Sequence, residues 1–135
     1  MSLFGFGKKR NVQTSDNAAR EADQSAAQKS IQQEMRIAEL RAELKELVGK
    51  ARTTKLNELG KLLAELGEFD EAIMVYEESL ELGGAMGKAS AALMKLYNKK
   101  RAEAAANKDD AGIKLYMDKV NGLLALSKDQ LRGRV

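Results

Sequence analysis

The stretch that most constrains this chain is Lys55 to Leu82, KLNELGKLLAELGEFDEAIMVYEESLEL. Leu56, Leu59, Leu62, Leu63 and Leu66 recur at steps of three and four, so they share one face of a helix. Gly67 follows at once, where a helix end favours a residue that tolerates a left-handed backbone. Asp70 and Glu71 open the next segment, where carboxylates suit the positive end of the helix dipole. Ala72, Ile73, Tyr76 and Leu80 make its apolar face. Two amphipathic helices joined by so short a turn fold back on each other, and the rest of the chain must pack on that hairpin.

The residues of this hairpin carry a resemblance. Leu59 and Gly60 form a Leu-Gly pair, Ala72 is small, and the aromatic Tyr76 follows four residues later. This resembles a tetratricopeptide repeat, a unit of about 34 residues with the pattern W-x2-L-G-x2-Y, then Ala, then an aromatic, then Pro. Leu56 stands at the Trp place and Leu63 at the first Tyr. Ser79 takes the place of a later Ala, and Gly84 that of the closing Pro. Gly60 and Ala72 are small where two helices approach closely, and Leu63 and Tyr76 fill the space beside them. A weaker echo follows: Gly112, Ile113, Tyr116 and Val120 answer Ala72, Ile73, Tyr76 and Leu80, while Leu93, Leu96 and Tyr97 form the stripe of a preceding helix from Lys88 to Ala106. The first helix of this second unit is about six residues longer, an excess that departs from the family period. NKDD, from Asn107 to Asp110, supplies the turn and an N-cap before the last helix.

Composition agrees with an all-α chain. Ala, Leu, Glu, Lys and Gln dominate, and there is no Pro. The absence of Cys removes disulfides and thiolate chemistry, and the absence of His removes the commonest acid-base group and metal ligand. No cofactor motif is present. GGAMGKAS, from Gly83 to Ser90, brushes against the phosphate-loop pattern but fails it: Gly83 is one residue too close to Gly87, Ala89 stands where a hydroxyl is needed, and a helix precedes it. The carboxylates sit in helical charge patterns rather than at one defined site, so no enzyme is expected. No apolar run is long enough to span a membrane, and no secretory signal is visible, so a cytoplasmic location is expected.

Ahead of the hairpin, Ile37, Leu40, Leu44, Leu47 and Ala51 keep the seam spacing of a coiled coil or bundle, with Ile31, Met35 and Ala38 as a second stripe. The long helix is placed at 17–51. It either covers the hairpin within one chain or pairs with a second copy through 31–51. Covering the hairpin is favoured, because one repeat cannot bury its own apolar face. Gly49 and Thr53-Thr54 mark the break before a repeat domain at 52–126. Residues 127–135 read as a flexible tail. Residues 1–16 read as a disordered start, with weak membrane-surface contact through Phe4, Phe6, Lys8, Lys9 and Arg10 as the alternative.

Function must then lie in surfaces. The resemblance implies an adaptor that binds a partner protein or peptide along a concave face made by the first helix of each unit. Its lining would include Thr54, Asn57, Lys61, Glu65, Lys88, Ala91, Lys95 and Asn98. Some members of the family hold a terminal carboxylate with Lys and Asn. Here Asn57 and Lys61, with Lys88 and Lys95 behind them, are arranged differently, which points to an acidic or extended peptide instead. A self-associating scaffold subunit, tethered at a membrane by its N-terminus, is the alternative. Lys95, Lys99, Lys100, Arg101 and Lys108 form a basic run, but the acidic hairpin beside it disfavours nucleic acid.

Overall fold

The computed structural model describes residues 2–83 and 87–131, with side chains from Ala18 to Gly83 and from Gly87 to Asp129. The chain is all-α. Five helices follow in order: α1 Ser2–Leu44, α2 Gly49–Glu65, α3 Phe69–Gly83, α4 Lys88–Ala106 and α5 Asp110–Leu131. Two compact units divide it, Met1–Arg36 and Ile37–Val135. The first is a single stretch of α1 whose described side chains are exposed or half-buried; Ile31 and Met35 both stand in solvent.

In the second unit α2 and α3 form one antiparallel hairpin, α4 and α5 a second, and α3 packs against α4. Ile37, Leu40 and Leu44 of the last turns of α1 join the same core as Leu56, Leu59, Leu63, Ile73, Tyr76, Leu93, Leu96 and Tyr97. Of the stronger stripe, Ile37, Leu40 and Leu44 are buried in this core, Leu47 is half-buried and Ala51 is exposed; Ile31, Met35 and Ala38 of the weaker stripe are exposed.

The long helix ends at Leu44, not at Ala51. The Lys45 and Glu46 N–H groups turn back to the carbonyls three residues earlier, Ala42 and Glu43, at 3.3 and 3.2 Å, tightening the final turn. The Arg52 guanidinium then donates to the carbonyl oxygen of Leu44 (2.5 Å), a group that the helix end leaves unpaired, and to that of Leu47 (3.4 Å) in the connecting loop. Its Nε also meets Glu78 of α3 at 2.6 Å. Thr53 and Thr54 do not mark the break. They lie inside α2, where their hydroxyls bond back to the carbonyls of Gly49 and Lys50.

Both hairpin turns share one hydrogen-bond pattern. Gly67 N–H reaches Ala64 and Glu68 N–H reaches Leu63; Lys108 N–H reaches Ala105 and Asp109 N–H reaches Ala104. Gly67 has φ +82°, and Lys108 takes the same left-handed place with φ 55°. Asp109 caps α5 by accepting from the Gly112 N–H at 3.0 Å. α5 runs on to Leu131, so residues 127–131, read as a flexible tail, are helical. The backbone of α1 is helical from Ser2 onward, within the stretch read as a disordered start. The side chains of Phe4, Phe6, Lys8, Lys9 and Arg10 lie outside the described residues, as do Gly84 and residues 132–135.

Helix α3 ties the second unit together by charge. Glu71 pairs with Arg41 of α1, Glu78 with Arg52 of α2, Asp70 with Lys100 of α4 and Glu77 with Lys119 of α5. Four carboxylates of the hairpin are thus paired with cations, three of these cations lying on helices outside it.

Candidate binding groove

The small-residue crossing of the first hairpin sets up the candidate site. At Gly60 a Cβ would stand 2.7 Å from Cε2 and 2.8 Å from Cζ of Tyr76, closer than any side chain could sit. The absence of that atom lets the Tyr76 ring pass directly against the α2 backbone. Tyr76 belongs to α3, yet it lines two adjoining clefts on the side formed by α2 and α4.

The first cleft, of about 540 Å³, is bounded by Lys50, Thr53, Thr54, Asn57, Glu58, Lys61, Tyr76 and Lys88. The second, of about 350 Å³, is lined by Lys61, Ala64, Glu65, Tyr76, Ala92, Lys95 and Leu96. Lys61 and Tyr76 belong to both, so the two make one groove. Of the residues expected on this face, the structure brings together Thr54, Asn57, Lys61, Glu65, Lys88 and Lys95. Asn98 is half-buried on α4 and lines neither cleft, and Ala91 is exposed outside them. Lys50, Thr53 and Tyr76 are lining residues that the sequence reading missed. Lys50 and Thr53 lay in the supposed break, and Tyr76 was read only as packing.

Asn57 has a second duty. Its side-chain carbonyl accepts from the Ser79 hydroxyl at 2.6 Å, which satisfies a hydroxyl that is otherwise buried between α2 and α3. This explains why Ser stands where the resemblance calls for Ala.

Lys55, Lys99, Lys100, Lys114 and Lys119 each meet a carboxylate. Among the described residues, Lys50, Lys61, Lys88 and Lys95 around the groove form no ion pair, and neither do Lys45, Lys108 and Lys128 away from it. The basic run considered for nucleic acid is partly used up: Lys99 pairs with Glu103 and lies 4.7 Å over the Phe69 ring, and Lys100 pairs with Asp70.

Tyr76 is only 6% exposed, and its hydroxyl has no hydrogen-bond partner among the described residues. Burial, and next the negative charge of Glu65, push its phenol above the ordinary value, so it is a proton donor at neutral pH. Tyr97, by contrast, donates to Glu77 at 2.6 Å, and Lys119 meets the same carboxylate oxygen at 2.8 Å.

Among the described residues no group of acidic side chains is arranged to hold a metal ion, and no helix is long and apolar enough to cross a membrane. No family model, no curated protein and no solved structure matches this chain.

Proposed function

We propose that the chain is a non-enzymatic interaction module that takes an acidic, extended segment of a partner protein in the groove between α2 and α4. The observation that carries this is the gathering of four lysines at one groove, Lys50, Lys61, Lys88 and Lys95, none of which forms an ion pair among the described residues. Four cations outnumber the two carboxylates of the lining, Glu58 and Glu65, and such an excess beside a concave surface favours an anionic occupant and speeds its arrival. Thr53, Thr54 and Asn57 add polar groups that suit a peptide backbone. The same reading makes the two hairpins tetratricopeptide-like, supported by the close Gly60–Tyr76 crossing and by the packing of α3 on α4.

The test is selection of a random-peptide library displayed on phage against the full chain. Enriched sequences are expected to be rich in Asp and Glu. Their binding should weaken with salt and be lost on Lys61→Glu and Lys88→Glu. Enrichment of basic or uncharged peptides, or binding that ignores both charge reversals, would sink the proposal.

A further inference from the structure

Tyr76 has features that packing alone does not account for. It is more than nine-tenths buried, its hydroxyl finds no partner among the described residues, and its ring lies at the junction of both clefts. A buried polar group without a partner costs stability, and Phe would fill the same space without that cost. The comparison inside the chain is direct, because Tyr97, equally buried, has Glu77 for its hydroxyl.

Resting on the groove reading above, we propose that the Tyr76 hydroxyl is a ligand-contacting group that donates a hydrogen bond to a main-chain carbonyl of the bound acidic segment. Gly60 makes this contact possible, since any side chain there would push the ring away from the α2 backbone. The choice of a carbonyl over a carboxylate follows from Glu65. Glu65 lines the same cleft as Tyr76, so a second anion at that point would be repelled. A neutral carbonyl accepts the proton without that penalty. The carboxylates of the segment then fall to Lys61, Lys88 and Lys95, which rim the groove. Tyr76 thereby reads the extended backbone and the lysines read the charge.

The experiment uses a fluorescent peptide enriched from the phage library, titrated against the full chain by anisotropy. Tyr76→Phe is expected to weaken binding roughly two- to tenfold, the worth of one hydrogen bond, while the thermal midpoint stays level or rises. Replacing the peptide's amides by esters one at a time weakens one carbonyl acceptor after another. One ester should cost affinity with the wild-type chain and nothing further with the Tyr76→Phe variant. Unchanged binding by Tyr76→Phe, while Lys61→Glu still abolishes it, overturns the hydroxyl's role and leaves the groove standing. Weaker binding accompanied by a lower thermal midpoint also overturns it, since the hydroxyl would then be structural. A library that yields no binder, or binders indifferent to both Tyr76→Phe and Lys61→Glu, overturns the groove and the hydroxyl together.

Discussion

Gly60 of α2 and Tyr76 of α3 touch backbone to ring, with the ring's Cε2 only 2.7 Å from where a Cβ on Gly60 would lie. The first hairpin closes on this contact, and it also brings an α3 side chain to the α2/α4 side. Two opposed effects decide what Gly60→Ala does. Ala is the better helix former by about 1 kcal/mol. Against that, the added methyl must displace a rigid ring that is 6% exposed, and overpacking of this kind costs about 1–3 kcal/mol. The second effect wins. Gly60→Ala should destabilise the chain by up to about 2 kcal/mol in urea unfolding. A gain in stability would mean that the ring moves freely, and the close crossing would lose its significance.

The N-terminal helix offers a sharper comparison between two of its apolar residues. Leu40 is fully buried in the core of the second unit, whereas Met35 is 61% exposed. Leu40→Ala should cost about 2–5 kcal/mol, as cavity-forming changes in cores do. Met35→Ala should fall within about 0.5 kcal/mol of wild type. Thermal or urea unfolding of both variants, with light scattering to follow mass, checks the pair. If Leu40→Ala leaves the unfolding curve unmoved, the end of α1 is not part of this core.

The leucine stripes of α2, the left-handed Gly67 and both ends of α4 were readable because each depends on near neighbours in sequence. Periodicity, a glycine after the last apolar residue and an NKDD turn are local signals. What escaped was set by distant partners. The long helix stops at Leu44, whose carbonyl accepts from Arg52 eight residues on, and nothing near Leu44 announces that. The Thr pair looked like a break but is held in α2 by its own back-bonds. Asn57 was readable as a surface residue, yet its bond to Ser79 was not. The basic run after Lys95 looked free because the carboxylate of Asp70 that meets Lys100 lies on another helix. The internal echo is subtler still. Tyr116 follows Tyr76 by forty residues, whereas Lys108 follows Gly67 by forty-one. The second hairpin therefore repeats the turn of the first but presents its inner face one residue earlier. At the groove, six of the expected lining residues were legible by resemblance, while Tyr76 was hidden by its own burial, since a mostly buried aromatic reads as core.

That repeated turn carries its own prediction. Lys108 holds φ 55° at a place where Gly67 sits in the first hairpin, and the left-handed region costs a residue with a Cβ about 1 kcal/mol or somewhat more. Lys108→Gly should relieve this. Part of the gain is offset by the greater freedom of Gly in the unfolded chain. A net stabilisation of about 0.5–1 kcal/mol is expected, read as a higher urea midpoint with an unchanged slope. The control is Gly67→Lys, which should lose stability by a similar amount. A loss on Lys108→Gly would mean that the lysine side chain contributes more than its backbone costs.

Alkaline pH tests the junction of α3, α4 and α5. Burial, then the hydrogen bond to Glu77 and that carboxylate's charge, hold the Tyr97 phenol far above its ordinary value. Tyr76 is raised as well, by burial and then by Glu65. A group whose pKa is raised on folding binds its proton more tightly in the folded state. Its contribution is whole below the unfolded value, about 10 for Tyr, and is lost as pH rises toward the folded value. Stability should therefore fall steeply above about pH 10. The ultraviolet absorbance of ionised phenol from Tyr76 and Tyr97 should rise together as the chain unfolds. Lys100, raised chiefly by its bond to Asp70, loses its contribution in the same direction, so the slope must be assigned by substitution. Tyr97→Phe gives up the bond to Glu77 and starts less stable at neutral pH, but it should decline less steeply above pH 10 than the wild-type chain. Parallel curves for the two proteins would show that Tyr97 does not govern the alkaline limit.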